Sequence, residues 1–211
     1  MSSLFITATG TNVGKTHTTL KLIEALASKG LKVGVYKPIE TGVTHTAPDA
    51  TILLEACQKV NENFKALQPL DITAYTFALP AAPFCADIEQ TIRIEKIIEK
   101  YHELSLLCDI LLVEGAGGLL VPITKDYTMI DLAKELNSKV LLVTPSRLGC
   151  INDTLLSMEV LKSRDVDFDW CVNLHEDKEE FEKVTQPYYD AVFDGWWSVA
   201  GGLEHSLKSF L

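Results

Sequence analysis

Hydrophobic positions along this chain alternate between two periods. Short apolar runs with little polar interruption fall at residues 4–8, 32–36, 109–113, 140–144 and 170–174. Runs of this kind predict strands buried on both faces. Between them, spacings of three and four predict helices over 15–28, 49–60, 92–107, 129–136 and 153–163. The first carries Leu20, Ile23, Leu26 and Ala27 as its apolar stripe and stops at Gly30. The second carries Ile52, Leu53 and Ala56. Strands alternating with helices build right-handed βαβ units. The expected fold is therefore α/β, a mainly parallel central sheet with helices on both faces.

Two stretches depart from this rhythm. Residues 68–87 hold Pro69, Pro80 and Pro83 with little periodicity, and read as a long ordered loop of the kind that carries function. After Leu174 the pattern weakens. The charged run 176–183 reads as a solvated helix or loop, and Trp196, Trp197, Gly201 and Gly202 take no place in the pattern. With no internal repeat, low-complexity tract or linker, residues 1–211 read as one domain.

The first predicted strand runs into Thr9-Gly-Thr-Asn-Val-Gly-Lys-Thr16, which opens the first helix. Strand, Gly-rich loop, Lys, Thr and helix form a phosphate-binding order. Successive backbone N–H groups of Asn12, Val13, Gly14, Lys15, Thr16 and His17 can wrap phosphate oxygens, and the helix N-terminus adds partial positive charge. Lys15 can reach the outer phosphates and the Thr16 hydroxyl can hold Mg²⁺. Three residues separate Gly10 from Gly14, one fewer than in the standard loop. The plain alternative is a Gly-rich turn before a helix. These features point to a P-loop NTPase fold.

An acid at the carboxyl end of a buried parallel strand sits beside such a loop, where ligands bind in these sheets. Glu114 holds that place, followed by Gly115-Ala-Gly-Gly118, whose glycines permit close approach of a ligand. Lys37, before Pro38 at the end of the second predicted strand, points a second cation at the same crevice. Asp49 opens a predicted helix and reads equally as a first-turn acid.

Composition narrows the partners. Apolar residues make up 47%, enough to build a core, so disorder is excluded as the main state. Nineteen basic against 29 acidic residues give a net charge of -10, which excludes general attraction to nucleic acid. An anion site must then rest on a few local cations and backbone N–H groups. Cys57, Cys85, Cys108, Cys150 and Cys171 form no C-x-x-C pair and read as reduced thiols of a cytoplasmic protein. The most apolar window, 104–123, is broken by Asp109 and Glu114, which argues against a membrane span.

Together these segments resemble dethiobiotin synthetase. The family's loop lies over Thr9–Thr16, its Lys-Pro with a following hydroxyl and Gly over Lys37-Pro38 and Thr41-Gly42, its V-E-G-A-G-G over Val113–Gly118, and its L-G-x-I-N over Leu148–Asn152. The first 160 residues or so are covered in order. The resemblance implies an ATP-dependent cyclo-ligase of biotin biosynthesis. Its substrates are 7,8-diaminononanoate, CO₂ and MgATP, joined through a carbamate and a carbamic–phosphoric anhydride. It implies catalytic roles for Lys15, Lys37 and Thr11, and Mg²⁺ held by Thr16, Asp49 and Glu114. It implies nucleotide contacts at 12–17, Glu114, Gly117 and Asn173. It places Thr41, Pro80, Gly118 and the turn Gly149, Cys150, Ile151 and Asn152 on the diamine. That turn belongs to the second subunit of a homodimer with active sites at the subunit interface. Asn152 is also a plain helix N-cap candidate.

The sequence departs from the family at Ala8, where a loop Gly is usual, and at Asn12, where an acid is usual. Beyond Asn173 the family's base-cradling segment is missing, so discrimination among nucleotide bases is expected to rest on few hydrogen bonds. Two rival readings share the loop. An amidoligase of the cobyrinate-diamide type needs a glutaminase domain, for which 211 residues leave no room. A MinD- or ParA-like ATPase switch predicts a second Lys at the loop start, and positions 8–14 hold none.

Overall fold

The computed structural model describes residues 2–174 and 178–203. In chain order the first half forms β1 (Ser2–Ala8), α1 (Lys15–Ser28), β2 (Val33–Tyr36), β3 (Ile39–Thr41), α2 (Pro48–Gln58), β4 (Tyr75–Phe77), α3 (Pro83–Ala86) and α4 (Ile94–Ser105). The second half forms β5 (Ile110–Gly118), β6 (Pro122–Thr124), β7 (Tyr127–Thr128), α5 (Met129–Glu135), β8 (Lys139–Pro145), α6 (Cys150–Ser163), β9 (Phe168–Asn173), α7 (Lys178–Val184), α8 (Gln186–Val192) and β10 (Trp197–Ser198).

Six strands make the central sheet in the order β10-β9-β8-β1-β5-β2, every neighbouring pair parallel. From β1 the chain passes β5 to reach β2. It then returns in the opposite direction through β5, β8, β9 and β10. Right-handed crossovers in both directions put α1 on one face and α4, α5 and α6 on the other. A hydrogen bond confirms the shared face of α4 and α5: the Tyr101 hydroxyl of α4 donates to Ser3 Oγ at 2.9 Å and reaches the Leu136 carbonyl at the end of α5. Sheet residues from Leu4 to Ala8, Ile110 to Glu114 and Val140 to Thr144 are all buried, as unalternated apolar runs require.

Several expected details differ. The strand expected over 109–113 continues through Glu114 to Gly118, with an irregular register opposite Ile6–Ala8. In α1 the fully buried face is Lys15, Thr18, Thr19, Leu22, Ile23 and Leu26; the expected Leu20 and Ala27 pack against the core half-buried, and Leu22 joins the face unexpected. In α2 it is Ala50, Leu53, Leu54 and Cys57, and Ile52 is exposed. Helix α6 begins at Cys150 rather than 153. Gly149 at φ 91° takes the N-cap, and Asn152 is the exposed third residue of the helix, not its cap.

The segment 68–87 is not a plain loop. It folds a 3₁₀ turn (Pro69–Ile72), strand β4 and the short helix α3, and β4 pairs parallel with β3. Of the charged run 176–183, residues 176–177 lie outside the described residues. The remainder is helical, and Phe181 is buried against Tyr189 at 5.8 Å and Trp196 at 5.5 Å between ring centroids. Trp197 pairs with Cys171 at the sheet edge.

Gly34 in β2 marks a tight contact between the central sheet and the elements packed on it. A Cβ there would stand 2.6 Å from Cys108 Sγ and 2.9 Å from Phe64 Cζ. Overpacking of this kind costs about 1–3 kcal/mol. Gly34→Ala is therefore expected to lower the urea midpoint of unfolding. An unchanged midpoint would mean that the Cys108 and Phe64 side chains give way freely.

Candidate active site

The carboxyl ends of β1, β5 and β2 meet at one edge of the sheet, and a cleft of about 800 Å³ opens there. The loop between β1 and α1 forms its floor. Asn12 at φ 60° and Gly14 at φ 105° turn the chain through left-handed conformations. Gly14 is needed twice, because a Cβ there would also collide with the Asn173 side-chain amide. Thr11, Asn12, Gly14, Lys15 and Thr16 line the cleft from this loop.

The face of α1 that buries Leu22, Ile23 and Leu26 continues back through Thr19 to Lys15, so core packing aims these polar residues at β5. Lys15 Nζ curls back to donate to the Gly10 carbonyl at 2.9 Å. Burial and the nearby Lys37 charge lower its pKa to about 8.

Glu114 is 0% exposed. One of its oxygens accepts from the Thr16 hydroxyl at 3.0 Å and from Lys37 Nζ at 2.6 Å. The other accepts from the Thr19 hydroxyl at 2.8 Å. Lys37, 3% exposed, reaches Asp49 as well, at 2.8 Å. Burial would lower the Lys37 pKa, but Glu114 and Asp49 outweigh it and hold the ammonium above its ordinary value. Thr16 Oγ also stands 3.4 Å from Asp49. One hydroxyl and two carboxylates thus converge, a set of hard oxygen donors that suits Mg²⁺.

The opposite wall comes from β3 and the segment before α3. Thr41 and Pro80 line it, Asp49 enters beside it from the first turn of α2, and Gly117 at φ 65° closes the end. A Cβ at Gly42 would meet Pro80 Cβ at 3.3 Å, so that glycine lets β3 and the Pro80 turn approach. Gly118 packs beneath the loop start, where a Cβ would stand 3.2 Å from the Ala8 carbonyl.

The remaining expected positions lie elsewhere. Val13 is beside the cleft, and its carbonyl accepts from Asn173 Nδ2 at 2.9 Å. Asn173 therefore braces the phosphate loop from the end of β9. His17 is exposed and faces a second cavity of about 740 Å³ between α1 and residues 199–203. Gly149, Cys150, Ile151 and Asn152 sit at the start of α6 and do not line the cleft. Cys150 is buried, its sulfur 3.6 Å from the Tyr189 hydroxyl.

Sequence reasoning missed two residues. Thr19, one turn into α1, holds the second Glu114 oxygen. Glu40 in β3 lines the cleft, is 3% exposed, and accepts the backbone N–H groups of Asp49 at 2.8 Å and Ala50 at 2.9 Å. Burial raises its pKa, opposed by those two bonds. Among the described residues no helix is long and apolar enough to cross a membrane.

The chain is similar to known proteins along nearly its whole length. An AAA-domain family model matches residues 2–178. The ATP-dependent dethiobiotin synthetase BioD of Sulfurovum sp. (strain NBC37-1) is 72% identical over 209 residues, 99% of this chain and 100% of that protein. The BioD of Wolinella succinogenes is 40% identical over 192 residues, 90% and 88% of the two chains. Among solved structures, a plasmid partition protein from Borrelia burgdorferi superposes with a TM-score of 0.59 at 12% identity, covering 99% of this chain and 98% of that one. MinD in the MinC:MinD complex of Aquifex aeolicus gives 0.54 at 21%, covering 93% and 79%. At such identities these two share the fold alone. With near-complete coverage at 72% identity, the chain belongs to the ATP-dependent dethiobiotin synthetases.

Proposed function

We propose that the cleft closes the cyclic urea of dethiobiotin from 7,8-diaminononanoate, CO₂ and ATP. The observation that carries this reading is the pair Lys15 and Lys37 on two walls of one cleft, beside Thr11, Thr41 and the oxygen cluster. An amine of the substrate adds to CO₂ and loses a proton, giving a carbamate. A carbamate oxygen attacks the γ-phosphorus and ADP leaves. The second amine then attacks the carbonyl carbon of the anhydride, phosphate leaves with its electron pair, and a proton is lost as the ring closes.

This chemistry asks the protein mainly for positioning and charge stabilisation. The loop N–H groups of 12–17 hold the phosphates. Lys15 exchanges the Gly10 carbonyl for phosphate oxygens. Lys37 flanks the carbamate and the γ-phosphate, and Thr11 and Thr41 donate hydrogen bonds to the same oxygens. Thr16, Asp49 and Glu114 would hold Mg²⁺, which when bound offsets phosphate charge. Without it the two lysines face the carboxyl groups of Asp49, Glu114 and Glu40, and the cleft has little net pull on a triphosphate.

The substrate carboxylate needs an anion site away from the phosphates. The start of α6 suits it, in a second copy of the chain. Leu148, Leu155 and Leu156 beside that turn are exposed, an apolar face that a homodimer would cover.

Phosphate release is expected to require the diamine. ATP hydrolysis at full rate without diamine would mark the chain as an ATPase switch. Lys37→Gln keeps a donor beside the buried Glu114 and removes the charge. It is expected to fold and to lose on the order of 10²-fold in turnover, the effect of removing one donor aimed at developing charge. Near-normal turnover would remove Lys37 from the reaction.

Lys15 gives a pH signature. Its ammonium is charged below about 8 in the free protein and loses its proton above that value. Triphosphate affinity should therefore fall as pH rises past 8, by up to about tenfold per pH unit for one linked proton. Lys15→Arg stays charged and should flatten the profile. Calorimetric titration with ATP from pH 7 to about 9.5 decides it, and a flat wild-type profile would show Lys15 charged throughout.

A further inference from the structure

Helix α2 starts without the side chain that such a start requires. Its N-cap is Ala47, which offers no acceptor, and Pro48 takes the first helical position. The next two residues are Asp49 and Ala50, whose N–H groups an N-cap Ser, Thr, Asp or Asn would normally accept. Both are taken instead by one buried carboxylate nine and ten positions upstream, the Glu40 pair of bonds at 2.8 and 2.9 Å. Bonds to an ionised acceptor at a helix N-terminus are strong and directional.

Two consequences follow from geometry. The backbone of Asp49 is fixed relative to β3, the strand that carries Thr41. The Asp49 carboxylate, on the same residue, is thereby held 2.8 Å from Lys37 Nζ and 3.4 Å from Thr16 Oγ. We propose that Glu40 is a positioning residue, which holds Asp49 at the cation site by capping α2 from β3. The inference rests on the reading of Asp49 as a Mg²⁺ ligand.

The test separates the two. ATP affinity is measured by calorimetry with Mg²⁺ and with EDTA, in the absence of diamine, and the ratio gives the metal-linked gain. Glu40→Ala is expected to reduce that gain by about tenfold, the lower end for loss of a residue that orients a metal ligand. Affinity in EDTA should not fall, because the phosphate loop is untouched. Ala47→Ser in the Glu40→Ala background supplies an acceptor at the N-cap and should restore the gain. Should Glu40→Ala not fold, Glu40→Gln keeps the volume and one acceptor oxygen, and should show a partial loss.

A wild-type gain in the Glu40 variants beside an abolished gain in Asp49→Asn would overturn the positioning role and leave Asp49 a ligand. An unchanged gain in Asp49→Asn would overturn the ligand reading, and the positioning role with it. Lower thermal stability with an unchanged gain would make Glu40 a helix cap only, which also overturns the proposal.

Discussion

A carboxylate with no access to water, Glu114 in the middle of β5, constrains everything around the cleft. Withdrawing an ion from solvent costs several kcal/mol even after the protein relaxes, and only close, complete partnering offsets it. Glu114 meets that demand with the Thr16 and Thr19 hydroxyls of α1 and the Lys37 ammonium from the end of β2. Three elements are thereby locked together. Helix α1 cannot slide along the sheet without stripping a buried charge of its partners, and its first turn is the end of the phosphate loop. The binding loop is rigid because a charge inside the sheet edge is satisfied only in this arrangement.

The same cluster explains which parts of the fold were legible in sequence. Five of the six sheet strands announced themselves because both of their faces are covered, so most of their positions are apolar; β10, two residues long, carries no such run. The face of α1 was read without Leu22 because half of its buried stripe is polar. Lys15, Thr18 and Thr19 are inside to serve the loop and Glu114, and a search for apolar spacing passes over them. The α2 error has another cause. Leucine, isoleucine, alanine and cysteine crowd 52–57, so the pattern permits two faces, and only packing against α1 and β2 selects Leu53, Leu54 and Cys57.

Site residues divide by the distance of their partners. The loop from Thr9 to Thr16 was legible because its chemistry is local, a run of backbone N–H groups ended by Lys and Thr. Glu40 was not, since its partners lie nine and ten residues ahead and a single acid in a three-residue strand carries no signature. A signal did exist in what was missing. Ala47-Pro48 opens a helix with no capping side chain, and buried N–H groups without an acceptor are rare enough to demand one elsewhere.

The segment 68–87 shows how an irregular stretch can serve the site without reading as structure. Three residues of β4 pair with three of β3, too short for any period to emerge. Yet this segment holds the second lysine. The Lys37 N–H donates to the Ile72 carbonyl, and the Pro38 carbonyl accepts from Ala74 and Tyr75. Pro38 itself has no N–H to offer, so the chain leaves β2 there and cannot continue the central ladder. It is taken up by the β3–β4 pair instead, which turns Thr41 toward Pro80 across Gly42. The phosphate wall is thus built on the central sheet and the opposite wall on a two-stranded one. Lys37 sits at the junction, with its backbone tied to the 3₁₀ turn before β4 and its ammonium to the carboxylate of the large sheet.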